Sequence, residues 1–162
     1  MRRSASAPLP ASVMVAFEQT FKVPIIEMMG MTETAAPLLA NPMPPRVRKS
    51  GSPGVAFGND VRVADERGNS MAENVVGEIL VRGPNVLSGY YNDPDATGTC
   101  FHDDHWFRSG DPGYQDEDGY FFTTGRLKEL IIKGGENIAP RGVDDALYPH
   151  EAVVEVAAVG GC

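Results

Sequence analysis

The chain has 162 residues, 42% of them hydrophobic and 22% charged, with a formal net charge of -8, a balance that excludes disorder as the default and allows one domain-sized core. The acid excess argues against nucleic acid or an anionic membrane as partner, because Arg2, Arg3 and Arg46, Arg48, Lys49 are too few to reverse it. Cys100 and Cys162 are too far apart to suggest a disulfide framework or a CxxC metal site, and no stretch has the length of a membrane span or the apolar core of a signal peptide, so a soluble, cytoplasmic protein is expected.

In chain order, Val13, Phe17 and Phe21 recur four apart, and with Pro10 and Ser12 as entry signals they predict an amphipathic helix over 12–22. A strand over 23–27 follows. Next comes MGMTET, and after it a proline-rich, basic loop, NPMPPRVRKSGSPG. Beyond that loop the runs DVRVAD, GEILVRG and GYFFTTG, separated by the turn residues ERGN and DEDG, predict a small antiparallel β unit from about Gly54 to Thr124. Residues 129–133 and 136–138 read as strands about a Gly134-Gly135 turn. A short helix from Pro140, with Val143 and Leu147 on one face, and a strand over 153–159 complete the series.

Several polar stretches are candidates for chemistry, and each has a plainer explanation. In MGMTET, a Thr and a Glu stand behind a glycine at the end of a strand, where α/β proteins place ligand-binding groups; Thr32 as a helix cap with Glu33 favouring the dipole would look the same. His102 and His105 flank two aspartates, but no third metal ligand is forced nearby, so a polar loop is expected. Asp93, Asp95, Thr97 and Gly98 mimic a calcium loop that lacks its closing Glu, so a plain turn is expected. RSGDPGYQDEDGYF and TGRLKELIIKGGENIAP carry charges beside glycines, which taken singly are ordinary solvated turns.

Taken in order, these segments resemble the acyl-adenylate-forming enzymes: acyl-CoA synthetases, aryl-CoA ligases, luciferases and the adenylation domains of peptide synthetases. MGMTET is similar to their aromatic-GxTE signature, WFRSGD to WxxTGD, and GRLKELIIKGGENIAP to GRxKExIxxxGxxIxP. Three such motifs in the family's order are far more specific than one. ANPMPPRVRKSGSPG and LYPHEAV resemble the branch of oxalate-CoA and 4-coumarate-CoA ligase-like proteins.

The resemblance implies an α+β fold: residues 1–53 as the end of a large α/β domain, 54–124 as a β subdomain, and 125–162 as the start of a C-terminal domain. It implies ligation of a small-molecule carboxylic acid to CoA with ATP and Mg, through an acyl-adenylate. Thr32 would then hydrogen-bond the α-phosphate and Glu33 ligate the metal. Met29 and Gly30 hold the positions that face the adenine, Asp111 would accept from the ribose hydroxyls, and Arg126 would reach the nucleotide. Lys128 falls at the hinge about which the C-terminal domain turns, and Gly134 and Gly135 border the pantetheine path.

Departures accompany the matches. Met29 stands where an aromatic residue is usual, Ser109 where a Thr is usual, and Ala139-Pro140-Arg141-Gly142 where a capping box is usual, which costs that helix about 1 kcal/mol for the cap and as much again for the glycine. No stretch resembles the family's phosphate-binding loop or its distal lysine. The expectation is therefore a ligase fragment inactive alone, with a non-catalytic AMP- or ATP-binding regulatory module, or a functionless product of a truncated gene, as alternatives.

Overall fold

A computed structural model of the protein describes residues 1–5, 9–126, 131–133, 136–138, 140–148, 150–154 and 156–159. The fold is mixed α and β. β1 (Arg2–Ser4) pairs parallel with β2 (Ile25–Gly30), and β3 (Pro37–Ala40) and β4 (Val55–Ala56) add antiparallel to make a four-stranded sheet in the order β1-β2-β3-β4. A five-stranded sheet follows: β5 (Asp60–Ala64), β6 (Gly77–Arg82), β8 (Trp106–Gln115) and β7 (Phe101–His102) lie in that order, and β9 (Phe121–Thr123) pairs with the far end of β8. The hairpin of β10 (Ile131–Lys133) and β11 (Glu136–Ile138) and the helix α3 (Pro140–Leu147) come last.

The first helix, α1 (Ala11–Phe21), begins one residue earlier than expected, and of the two entry signals Pro10 is its N-cap. Its inward face also differs. Met14 is the buried residue, and Glu18, one turn on, accepts the Ile25 amide and the Arg48 guanidinium, which itself donates to the Ile25 carbonyl. That bond to Arg48 holds the Glu18 carboxyl below its ordinary range. Val13 and Phe21 are left exposed, and the Phe21 ring lies tilted against Phe17 with ring centroids 4.6 Å apart.

β2 was expected over 23–27 but runs from Ile25 to Gly30, because PLLA folds back and pairs Met28 with Ala40 and Met29 with Leu39. A partner strand, invisible to alternation within one segment, extends it. In the same way β8 continues through SGDPG, a stretch whose glycines and proline read as a turn, because β6 pairs with Arg108 before it and with Pro112 and Gly113 at its end. Asp93 to Gly98, expected as a plain turn, lies in a short helix, α2 (Pro94–Thr99), with the Asp93 side chain accepting the Ala96 amide as its cap. The DEDG turn forms as expected, Gly119 donating to the Asp116 carbonyl.

Toward the end, α3 starts at Pro140 as expected, but no strand forms over the described part of 153–159. Val154 and Val159 are exposed, and the Ala158 amide instead reaches the Asp144 carboxylate of α3 at 2.7 Å. β-branched residues do not make a strand without a neighbour to pair with. No helix among the described residues is long and apolar enough to cross a membrane.

The five-stranded sheet has two covered faces, which is why Glu78, Ile79, Leu80 and Val81 of β6 are all buried. One face sends Val63 and Val81 against Leu38 and Leu39 of β3 and Phe121 of β9, in a cluster flanked by Met29 and Met31. On the other, Ala64 and Leu80 meet Trp106, whose ring lies under the guanidinium groups of Arg62 and Arg82 at 4.1 and 4.5 Å.

The two sheets are joined where the loop after β3 returns. Asn41 donates to the Ser52 carbonyl and accepts the Lys49 amide, and the Ser52 hydroxyl donates to the Phe121 carbonyl at 2.6 Å. Lys49 adds ion pairs to Asp116 and Asp118, which raise its pKa. At Gly54 the backbone approaches so closely that an added Cβ would lie 2.0 Å from the Ala40 carbonyl carbon, at φ +106°.

Gly54→Ala should therefore cost far more than Gly58→Ala, where φ is +72° and the space is open. The latter should lose only about 1–2 kcal/mol of backbone preference. Urea denaturation of the two variants measures the difference, and equal losses would mean the close approach at Gly54 is not a constraint.

Candidate functional site

MGMTET lies at the connection between β2 and β3. Met29 and Gly30 are the last residues of β2, with a register shift between them, and Thr32–Thr34 form a single 3-10 turn. Gly30 is required by space: a Cβ there would sit 2.9 Å from the Ala36 carbonyl oxygen. Thr34, not Thr32, holds the turn. Its fully buried hydroxyl donates to the Ala36 carbonyl at 2.7 Å and accepts the Met31 amide at 3.4 Å, whereas Thr32 is exposed and joins the turn through its carbonyl, which accepts the Ala35 amide at 3.1 Å.

Glu33 is half-buried and held from across the chain. Its Oε1 accepts the Tyr90 hydroxyl at 3.2 Å, its carbonyl accepts the Leu87 amide at 2.8 Å, and the Asn85 side chain donates to the Thr34 carbonyl. Burial first, then the Glu33 carboxylate, pushes the Tyr90 phenol up, so it remains a protonated donor at neutral pH. Burial likewise raises the nearby Cys100 thiol. The carboxylate of Glu33 is a hard oxygen donor of the kind magnesium takes together with phosphate and water, so this residue fits that metal.

Asp111 stands on a bulge in the middle of β8. The ladder pairs Glu78 with Pro112 and Leu80 with Arg108, so Ser109, Gly110 and Asp111 face Ile79 alone. Two extra residues bend the strand outward there. Gly110 takes φ +73°, a left-handed value suited to glycine. The Asp111 carboxylate is 6% exposed and forms an ion pair with Arg126, Nε to Oδ1 at 2.9 Å, while the Asp111 amide donates to the Ser109 hydroxyl at 3.0 Å.

The structure thus brings Asp111 and Arg126 into direct contact. It attaches Met29, Gly30, Thr32 and Glu33 to the same core through Met29 and Met31, which pack against the cluster holding Phe121. Lys128, Gly134 and Gly135 lie outside the described residues, as does Cys162. The two histidines fall elsewhere, on β7 and the turn after it, and among the described residues no group of three or more His, Cys, Asp or Glu is arranged to hold a metal.

Tyr90, Asn85 and Glu78 were not legible as site residues. GYY, PN and GEI carry no local chemical signal, and each acts on a partner far along the chain.

The match to known proteins follows these features. A model of the AMP-binding enzyme family matches residues 1–91. The chain belongs to that family. It is 53% identical to a sulfoacetate–CoA ligase of Cupriavidus necator and 40% identical to an oxalate–CoA ligase of Arabidopsis thaliana, in each case over 98% of this chain and 31% of the relative. The crystal structure of ATP-bound MatB from Rhodopseudomonas palustris superposes with a TM-score of 0.91 at 37% identity, covering 97% of this chain and 31% of that one. The chain therefore spans under a third of the length of each of these proteins.

Tyr90 should titrate above the ordinary tyrosine value of about 10. Following the tyrosine ring signals by NMR against pH, we expect one late phenol that disappears in Tyr90→Phe and moves partly back down in Glu33→Gln, because burial is the larger cause. A late phenol unmoved by Glu33→Gln would sever the link between the two residues.

Proposed function

We propose that the chain supplies the ribose, metal and hinge elements of an ATP-dependent carboxylate–CoA ligase, which joins a carboxylic acid to AMP and then passes the acyl group to CoA. The observation that carries this reading is the buried Asp111 carboxylate, raised on a bulge and paired with Arg126. A carboxylate is acceptor-only with two oxygens, which suits the vicinal hydroxyls of a ribose. A guanidinium has five donors, so Nε can steady Asp111 while the terminal nitrogens reach the nucleotide.

In this reading Thr32 contacts the α-phosphate and Glu33 holds magnesium, with Tyr90 orienting the carboxylate. Magnesium bound there would neutralise phosphate charge as pyrophosphate leaves. Met29, half-buried against Leu39, keeps its thioether beside the adenine, and Gly30 lets the chain turn closely past Ala36 behind it. Lys128 serves as the hinge, and Gly134 and Gly135 line the CoA arm. The corresponding division is 1–53 for the end of a large domain, 54–124 for a β subdomain and 125–162 for the start of a C-terminal domain.

The test exchanges these 162 residues for the matching part of a full-length relative such as the sulfoacetate–CoA ligase. Asp111→Ala should lower kcat/KM for ATP by roughly a hundredfold, the loss of two charge-assisted hydrogen bonds. Ser109→Thr, which keeps the hydroxyl that accepts the Asp111 amide, should lower it much less. Equal ATP kinetics for the two variants would remove the ribose role.

Lys128→Pro in the same chimera should spare pyrophosphate release and impair acyl-CoA formation, since proline restricts φ at a rotating position. Assaying the two half-reactions separately decides it. An equal loss in both would place the hinge elsewhere.

A further inference from the structure

The geometry points to Glu78 as the positioning residue of this site: its carboxylate holds the Ser109–Asp111 bulge in the shape that presents Asp111, and only the naming of ribose as the ligand rests on the function proposed above. The bulge poses a problem that the ladder does not solve. With three residues of β8 facing one of β6, backbone amides inside the bulge lose their regular carbonyl partners. Both amides that follow Ser109 are satisfied by side chains instead: Asp111 donates to the Ser109 hydroxyl, and Gly110 donates to Glu78 Oε1 at 3.0 Å.

Glu78 is suited to that work and to little else. It is 7% exposed, so its charge needs compensation, and Arg108 provides it from the residue just before the bulge, with Nε and Nη2 at 3.0 and 2.9 Å from Oε2. The carboxylate is thereby divided, one oxygen for the strand before the bulge and the other for its central amide. A purely structural ion pair would have no reason to commit its second oxygen to a left-handed glycine one residue from Asp111. Because Glu78 is itself a ladder residue opposite Pro112, the bulge is pinned to a fixed point of β6.

Amide hydrogen exchange of the 162-residue chain, followed by NMR, tests this. In Glu78→Met the Gly110 amide should exchange roughly ten- to a hundredfold faster, the loss of one hydrogen bond to a charged acceptor, while the Val63 and Val81 amides keep their protection. Glu78→Gln, which retains an acceptor, should restore most of the protection. If Glu78→Met does not fold, Glu78→Gln carries the comparison alone, with Gly110 faster by roughly threefold as the acceptor becomes neutral. Gly110 unchanged, or all sheet amides accelerating together, would overturn the positioning role.

A second readout separates this inference from the ribose reading. Affinities for AMP and 2′,3′-dideoxy-AMP are measured on the same chain, and the preference for AMP should fall in Glu78→Met and largely return in Glu78→Gln. A preference that stays intact while both affinities fall would overturn the positioning role. A Gly110 amide released by substitution in a chain that never prefers AMP would instead keep Glu78 as the holder of the bulge and remove ribose as the ligand of Asp111.

Discussion

The contact on which the rest depends is the docking of residues 52–54 onto β9. Ser52 is wholly buried; its hydroxyl gives its proton to the Phe121 carbonyl and receives the Gly54 amide, and Phe121 in turn donates its own amide to the Gly54 carbonyl. Gly54 has no side chain because the β3 backbone at Ala40 fills that space. This seam brings β3 and β9 together, so that Leu38, Leu39 and Phe121 complete one core with Val63 and Val81. With the Lys49 ion pairs to Asp116 and Asp118 and the bonds of Leu87 and Asn85 to the β2–β3 connection, it fixes the sheet beside Glu33 against the sheet carrying Asp111.

Rigidity at the seam is matched by a particular way of presenting each acid. Glu33 sits on a one-turn connection held from behind by Thr34 and from in front by Tyr90. Asp111 is not on a loop at all; it is carried by a strand paired on both sides, displaced by two residues of bulge. A carboxylate in that position keeps the sheet's order and gains the reach of a loop, which suits a group that must meet a ligand in one orientation. Under the proposed function the chain's net charge of -8 makes such placement matter, since every further acid near an anionic nucleotide would raise its cost and well-placed cations such as Arg126 would offset it.

The α+β class, the small antiparallel sheet and the pair of motif segments were legible because their signals are local: alternation in DVRVAD and GEILVRG, turn chemistry in DEDG, and residue types at fixed spacing in MGMTET and RSGD. What stayed hidden depends on pairing across the chain. PLLA is a strand only because MMG lies beside it, and SGDPG continues β8 although glycine and proline mark turns, because β6 pairs with Arg108 before the bulge and Pro112 after it, and β9 joins at Gly113. The buried face of α1 was misread since Glu18 turns inward to meet Arg48, 30 residues away in sequence. The supports of the site were invisible for the same reason: Glu78 lies 32 residues from Gly110, and Tyr90 lies 57 from Glu33.

The sequence order of Asp111 and Arg126 also has a consequence under the proposed hinge at Lys128. Arg126 follows Gly125, whose φ is +136°, and pairs with Asp111 on the sheet. The ion pair therefore belongs to the part that precedes the hinge. Rotation at Lys128 would carry the β10–β11 hairpin and α3 to a new position while Asp111 and Arg126 kept their relation, since no bond between them crosses the rotating residue. A nucleotide held by that pair would stay in place as the surroundings of its phosphate changed, and for a two-step ligase this ordering separates holding the adenylate from exchanging the group that attacks it.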